Sequence, residues 1–340
     1  MNLHRKLLVL GVTIIVLAGI ALTSVRHAAY RADHRNQAQA GGPPVTAGPV
    51  SLSAGPGRQI VFRNMAWGPH RDELSTVPAS DPSGPRTASG TKCLRFYAAA
   101  GTGVCLQAER GAMRDTYRAV VLDAHLKARA HYPLPGIPTR ARVSPSGRLI
   151  AWTVFVGGDS YAGTNFSTRT AVLDTRTGRL DKSLEDFRFV RDGRPLHSAD
   201  INFWGVTFAD DQHFYATAAT HGTTYLVRGD LRSRSVTTLR TNVECPSLSP
   251  DGTRIAFKKR VPGLPADAPW RLYVLDLPSM EETRLAETRS VDDQLVWPDD
   301  HTVVYSLPGD YGADLYSVPA DGSGTAHRFM RAALAPAYLG

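Results

Sequence analysis

Cysteine is scarce in this sequence, lysine is scarcer than the net charge suggests, and the signatures of the common catalytic sites are missing. The three cysteines, Cys93, Cys105 and Cys245, show no C-x-x-C pair and no Cys/His cluster with zinc-site spacing. Lysine stands only at positions 6, 92, 127, 182, 258 and 259, so the formal charge of +8 is carried almost wholly by arginine. With abundant Ala, Gly and Pro, that bias resembles the coding preference of a GC-rich genome. The arginines are spread along the chain and form no basic stripe, which argues against nucleic acid as a partner. A G-x-S-x-G nucleophile elbow, H-E-x-x-H, a phosphate-cradling G-x-x-x-x-G-K-[ST] and a dinucleotide fingerprint are all lacking. No catalytic residue, metal or cofactor is therefore expected. A site assembled from distant loops would escape such a motif search.

Long apolar runs are also lacking, with one exception. Residues 7–25, LLVLGVTIIVLAGIALTSV, are uncharged and follow His4, Arg5 and Lys6. Nineteen helical residues reach about 29 Å, close to the ~30 Å hydrocarbon core of a bilayer. A signal-peptide core is shorter, and Arg26 and His27 stand where a small-residue cleavage site belongs. The expectation is a single-pass signal-anchor with residues 1–6 in the cytoplasm and the rest outside. Secretion after cleavage is the alternative. Arg26, Arg31 and Arg35 oppose this orientation under the positive-inside rule, but long domains translocate largely regardless of charge. Residues 26–58, rich in Gly, Pro and Ala, read as a flexible linker. Cys93 and Cys105, in the stretch KCLRFYAAAGTGVCLQ, can pair in an oxidising compartment or remain two buried thiols. Cys245 reads as a small buried hydrophobe.

From Gln59 onward, short apolar strands alternate with turn signals, the pattern of an all-β domain. One phrase recurs: a strand, a tight turn, then a second apolar strand. It stands at 141–155 (ARVSPSGRLIAWTVF), 205–219, 246–260 (PSLSPDGTRIAFKKR) and 294–308, each time followed by a third strand such as RLYVLDLPS. Weaker copies occupy 57–80 and 92–125. Six units of four strands predict a six-bladed β-propeller over 59–340, preceded by a transmembrane helix and a linker. Trp152, Phe257 and Tyr305 on second strands are expected between blades, and Trp204 and Trp297 on innermost strands in packing roles. RAALAPAYL (331–339) is expected to supply the innermost strand of the first blade and so close the ring.

LSPDGTRIAF followed by RLYVLD resembles the propeller repeats of the TolB-like family, which are WD-like and also occur in prolyl-oligopeptidase-type enzymes. The resemblance covers about residues 59–340 and is specific for fold. It implies an exported, monomeric propeller that binds a partner in the cell envelope. An additional α/β domain and a residue-level binding motif have no counterpart here, and the first two blades are degenerate.

Topology tells where binding would occur. Turns between first and second strands share one face of the disc. Loops between second and third strands, and between blades, share the other. The second face is expected to carry the long insertions 156–170, 187–200, 220–224, 261–271 and 308–314, and long loops are commonly functional. Arg188, Arg191, Arg194 and His197 on the 187–200 loop suit an acidic protein or an anionic envelope polymer. Asp159, Tyr161, Trp270, Asp310 and Tyr311 are expected on the same rim. The competing reading is an exported hydrolase, lyase or cyclase, which requires His197, Asp200, His221, Asp159 or Asp310 to converge at the channel mouth. The bland readings are a solvated arginine loop and unrelated rim residues.

Overall fold

The computed structural model describes residues 3–37, 42–111, 114–161 and 166–340. An N-terminal helix, Leu3–Asn36, precedes six β-sheets arranged as blades around one axis. From the axis outward, blade 1 contains Ala333–Leu339, Gln59–Asn64, Glu73–Pro78 and Arg86–Lys92. Blade 2 runs from Arg95–Ala99 to Ala128–Leu134, and blade 3 from Ile137–Val143 to Leu180–Asp181. Blade 4 spans Asn202–Phe208 to Ser235–Thr241, and blade 5 spans Glu244–Leu248 to Glu282–Arg284. In blade 6 the innermost segment is reduced to a bridge between Val296 and Val304, followed by three full strands.

Each blade has two apolar faces, and a ring gives both faces a neighbour. A buried cluster fills every interface. Ile150 and Trp152 pack on blade 2, Phe214 and Val227 on blade 3, and Phe257 and Leu275 on blade 4. Tyr305 and Val303 pack on blade 5, and Leu74 and Phe96 meet between blades 1 and 2. The sixth interface joins Ile60 and Phe62 of blade 1 to Leu315 and Met330 of blade 6. Its closure is the expected one: Ala333–Leu339 pairs antiparallel with Gln59–Asn64, so one blade contains strands from both ends of the propeller.

The repeated turn has a repeated geometry. Gly147 and Gly252 take φ of 76° and 73°, and their amides donate to the carbonyls of Ser144 and Ser249 at 2.8 and 2.9 Å. The Ser144 and Ser249 hydroxyls accept the amides of Leu149 and Arg254, which locks the start of the second strand. A Cβ at Gly147 would meet the carbonyl oxygens of Ala99 and Ala100 at 3.1 Å, so glycine is required there by contact as well as by φ.

The stretch expected as a linker over 26–58 is different. The helix runs to Asn36, and Val45–Ala47 pairs in parallel with Arg86–Ala88 as a fifth strand on blade 1. Val50 and Leu52 then bury themselves between blades 1 and 2. The open edge of Arg86–Lys92 supplies unpaired backbone groups, and a segment with few apolar residues suffices to cover them.

Candidate binding face and channel mouth

The first-to-second-strand turns are short, as expected. On the opposite face, only some of the expected insertions are loops. Residues 158–161 and 166 of the expected 156–170 insertion stand outside the strand ladder, and 162–165 lie outside the described residues. Residues 262–268 connect paired strands beyond a bond from the Val261 amide to the Pro269 carbonyl at 2.9 Å. The segments 220–224 and 308–314 are strand extensions closed by two-residue turns, His221-Gly222 and Asp310-Tyr311. The 187–200 connection is also no free loop. Arg188–Arg191 pairs in parallel with Ser235–Thr237, and Arg194–Leu196 folds back on it, which widens blade 4 to six strands. Phe189 anchors this hairpin by packing against Phe203 and Tyr225. Arg188, Arg194 and His197 remain exposed. Arg191 is half-buried, within 3.7 Å of Asp192 and 3.5 Å of the Tyr225 hydroxyl.

The five groups required for a catalytic centre do not converge. Among the described residues, no three His, Cys, Asp or Glu side chains are grouped as metal ligands. Asp200 is committed to the His221 turn, where it accepts from Ser198 at 2.6 Å, Thr220 at 2.5 Å and the His221 amide at 2.6 Å. Those hydroxyls and that amide hold its carboxyl down at about 2. The His221 ring is 3.3 Å from Ser198, and His197 and Asp159 are separate exposed residues.

The expected aromatic rim divides in two. Tyr311 is half-buried against Trp67, with ring centroids 5.5 Å apart, while Asp310 is exposed beside Arg331 at 3.3 Å. Tyr161 and Trp270 are not rim residues: both are at least 98 % buried, in a cluster with Phe155, Trp204 and Cys245. Cys245 is free and buried. Cys93 and Cys105 are bonded to each other. Cys93 stands in the short crossover from blade 1 to blade 2, just ahead of the hairpin, and Cys105 on the second strand of blade 2. The bond therefore staples the crossover to the blade it enters.

Around the Tyr161–Trp270 cluster lies a charged network that closes the loop-face end of the channel. Lys258 is fully buried, 3.8 Å from the centroid of the Trp270 ring. It pairs with Asp292 and lies 3.7 Å from Glu244. Glu244 also accepts from Arg260 at 2.8 Å and from the Trp270 indole at 3.1 Å. Arg140 crosses the channel from blade 3 to Asp292 at 3.3 Å, with its guanidinium 4.9 Å from the Tyr161 ring. Burial pushes the Tyr161 phenol up, and its hydroxyl is 2.7 Å from that of Thr139. Burial alone would raise the Asp292 carboxyl; Lys258 and Arg140 more than offset it and hold Asp292 below the usual range. The signal for these groups is in the sequence: Arg140 and Arg142 alternate on an innermost strand, where the inward face lines a channel rather than an apolar core.

No protein-family model matches the chain, and no curated protein matches it. Solved structures do match. TolB from Acinetobacter baumannii superposes with a TM-score of 0.57 at 18 % identity, over 83 % of this chain and 66 % of TolB. A puromycin-hydrolyzing peptidase of Mycobacterium tuberculosis (TM-score 0.46, 16 % identity, 84 % and 45 % covered) and an oligogalacturonate lyase in complex with manganese (0.42, 10 %, 73 % and 82 %) also match. The fold is that of the TolB-like six-bladed propellers, and the chain spans slightly less than two thirds of TolB's length.

Proposed function

We propose that the chain is a membrane-anchored, extracytoplasmic propeller that binds an acidic protein or anionic polymer of the cell envelope. The anchor is the helix segment His4–Tyr30, which is long and apolar enough to cross a membrane and has none of its most apolar stretch buried by the propeller. The observation that carries the binding reading is the Arg188–Leu196 hairpin. It adds two strands to a blade that is already complete. Among the described residues, its exposed Arg188 and Arg194 make no ion pair. Pro195 and Arg194 guard the outer edge against indiscriminate strand pairing, which leaves side-chain charge as its means of recognition. Photo-crosslinking from position 197, exposed beside the hairpin and outside its two charges, should capture an envelope component in intact cells. Arg188→Glu with Arg194→Glu should abolish that capture while the thermal midpoint changes by less than about 2 °C. Undiminished capture by the double variant would sink the proposal.

A further inference from the structure

The channel contains positive charge that the loop-face network does not neutralise. A cavity of about 30 Å³ lies among blades 1, 2, 3 and 6, lined by Arg95, Tyr97, Arg140, Arg142, Asp293 and Gln294, with Ala335 and Pro336 closing one side. Arg142 is 5 % exposed and stacks on Tyr97, 4.4 Å from the ring centroid. Its terminal nitrogen spans the channel to Ser247 at 3.3 Å and to the Leu295 carbonyl at 3.0 Å, both neutral acceptors. The Nε atoms of Arg142 and Arg140 are buried and have no hydrogen-bond partner. Neither Arg95 nor Arg142 forms an ion pair among the described residues. The acid bordering the cavity, Asp293, is engaged by Ser306, accepting from its amide at 3.0 Å and from its hydroxyl. Burial, then the nearby charge of Arg140, pulls the Arg95 guanidinium below its ordinary value, and Asp293 opposes this only in part. Two guanidinium groups without an acidic partner, Arg95 and Arg142, beside a half-open cavity call for an anion.

We propose that this cavity binds a carboxylate, held by the guanidinium groups of Arg95 and Arg142, with Arg140, whose charge Asp292 already balances, offering its free Nε. Size selects the class. The cavity is about 30 Å³ and half open, with room for about two water-sized atoms at about 10–15 Å³ each. A carboxylate can seat both oxygens there with its chain lying in the channel, whereas a tetrahedral oxyanion has two further charged oxygens left without a guanidinium partner. Guanidinium forks match the planar carboxylate in two-point hydrogen bonding. The carboxylate can come from a free small acid or from the C-terminal end of a peptide. The site does not depend on the outer hairpin.

The test uses the full chain in detergent micelles, in chloride-free Tris–HEPES at constant ionic strength, with the thermal midpoint followed by tryptophan fluorescence. Sodium acetate, sodium sulfate, triglycine and triglycinamide are the probes. Acetate or triglycine should raise the midpoint saturably, by about 5 °C at about 100-fold above the dissociation constant. Sulfate and triglycinamide should not. A rise with acetate identifies free acids as a source, and a rise with triglycine alone identifies a peptide end. Arg142→Met should abolish the rise. Arg95→Gln, at a half-buried position, serves if the first variant does not fold, while Arg188→Glu/Arg194→Glu should leave the rise intact. The absence of a saturable rise in the unaltered chain overturns the proposal. So does an equal rise with sulfate or triglycinamide, or a rise that survives both channel variants.

Discussion

At the scale of single residues, Glu185 shows how a blade interface uses an ionisable group. Its carboxylate accepts the amides of Thr170 at 3.3 Å and Phe203 at 3.2 Å and the Ser183 hydroxyl at 2.8 Å, which ties blade 3 to the first strand of blade 4. Burial outweighs these bonds and pushes its carboxyl up from 4.5 to about 6. The folded state therefore binds a proton more tightly than the unfolded chain. The resulting stability is complete below pH 4.5 and is lost as the pH rises through about 6, a contribution of about 2 kcal/mol. Glu185→Gln retains an oxygen for the two amides, and its NH₂ donates to Ser183. Relative to the unaltered chain, the variant should gain about 2 kcal/mol between pH 4.5 and pH 7.5, measured by urea denaturation at each pH. A stability difference that does not change with pH would remove Glu185 as the titrating group.

At the scale of elements, the ring depends on the strand that closes it. Ala333–Leu339 pairs along Gln59–Asn64 and buries Ala333, Ala337 and Leu339. Truncation after Met330 strips the inner edge of blade 1 and uncovers Ile60, Val61 and Phe62, a loss comparable with the whole stability of a domain. The truncated chain should lose its cooperative denaturation transition, whereas Leu339→Ala should keep it at a cost of about 3 kcal/mol. A cooperative transition in the truncated chain would mean that five blades and a partial sixth suffice. The elements differ in how legible they are from residues alone. The Ser-Pro-Asp-Gly phrase at 249–252 is readable because its turn demands a hydroxyl, a proline and a positive-φ residue at fixed places. The Val45–Ala47 strand is not, because it is held by backbone bonds to an existing edge, and backbone bonds leave no composition signal. The Arg188–Leu196 hairpin hides for a similar reason, since Gly193 and Pro195 read as loop and Phe189 alone anchors it. The channel charges are hard to read because Arg140 and Arg142 alternate with Ala141 on a strand whose apolar pattern is weak. Tyr161 and Trp270, expected on the rim, are buried instead, because Lys258 and Arg140, distant in sequence, draw their rings into a charged network.

At the scale of the molecule, the question is how far the propeller stands from its proposed membrane. A 33-residue flexible linker would leave it free to range widely. The structure shortens that tether at both ends: the helix persists to Asn36, and the chain is pinned to blade 1 from Val45. Eight residues separate the helix from the Val45–Ala47 strand, and eight residues reach at most about 29 Å. Under the proposed anchoring, the disc is tethered at the outer edge of blade 1 and the partner has to be reachable from there. Two fractionation outcomes follow from this arrangement. The full chain should pellet with membranes and resist extraction at pH 11, because an uncleaved apolar helix is released only by detergent. A chain expressed without residues 3–36 behind an unrelated export signal should be soluble. It should keep the Cys93–Cys105 bond, because that bond and the Val45–Ala47 strand lie entirely within the propeller. Its thermal midpoint should lie within about 2 °C of the full chain's. A soluble full chain shortened at its N-terminus would show that the helix is removed during export. An unstable truncated chain would show that the helix supports the propeller as well as tethering it.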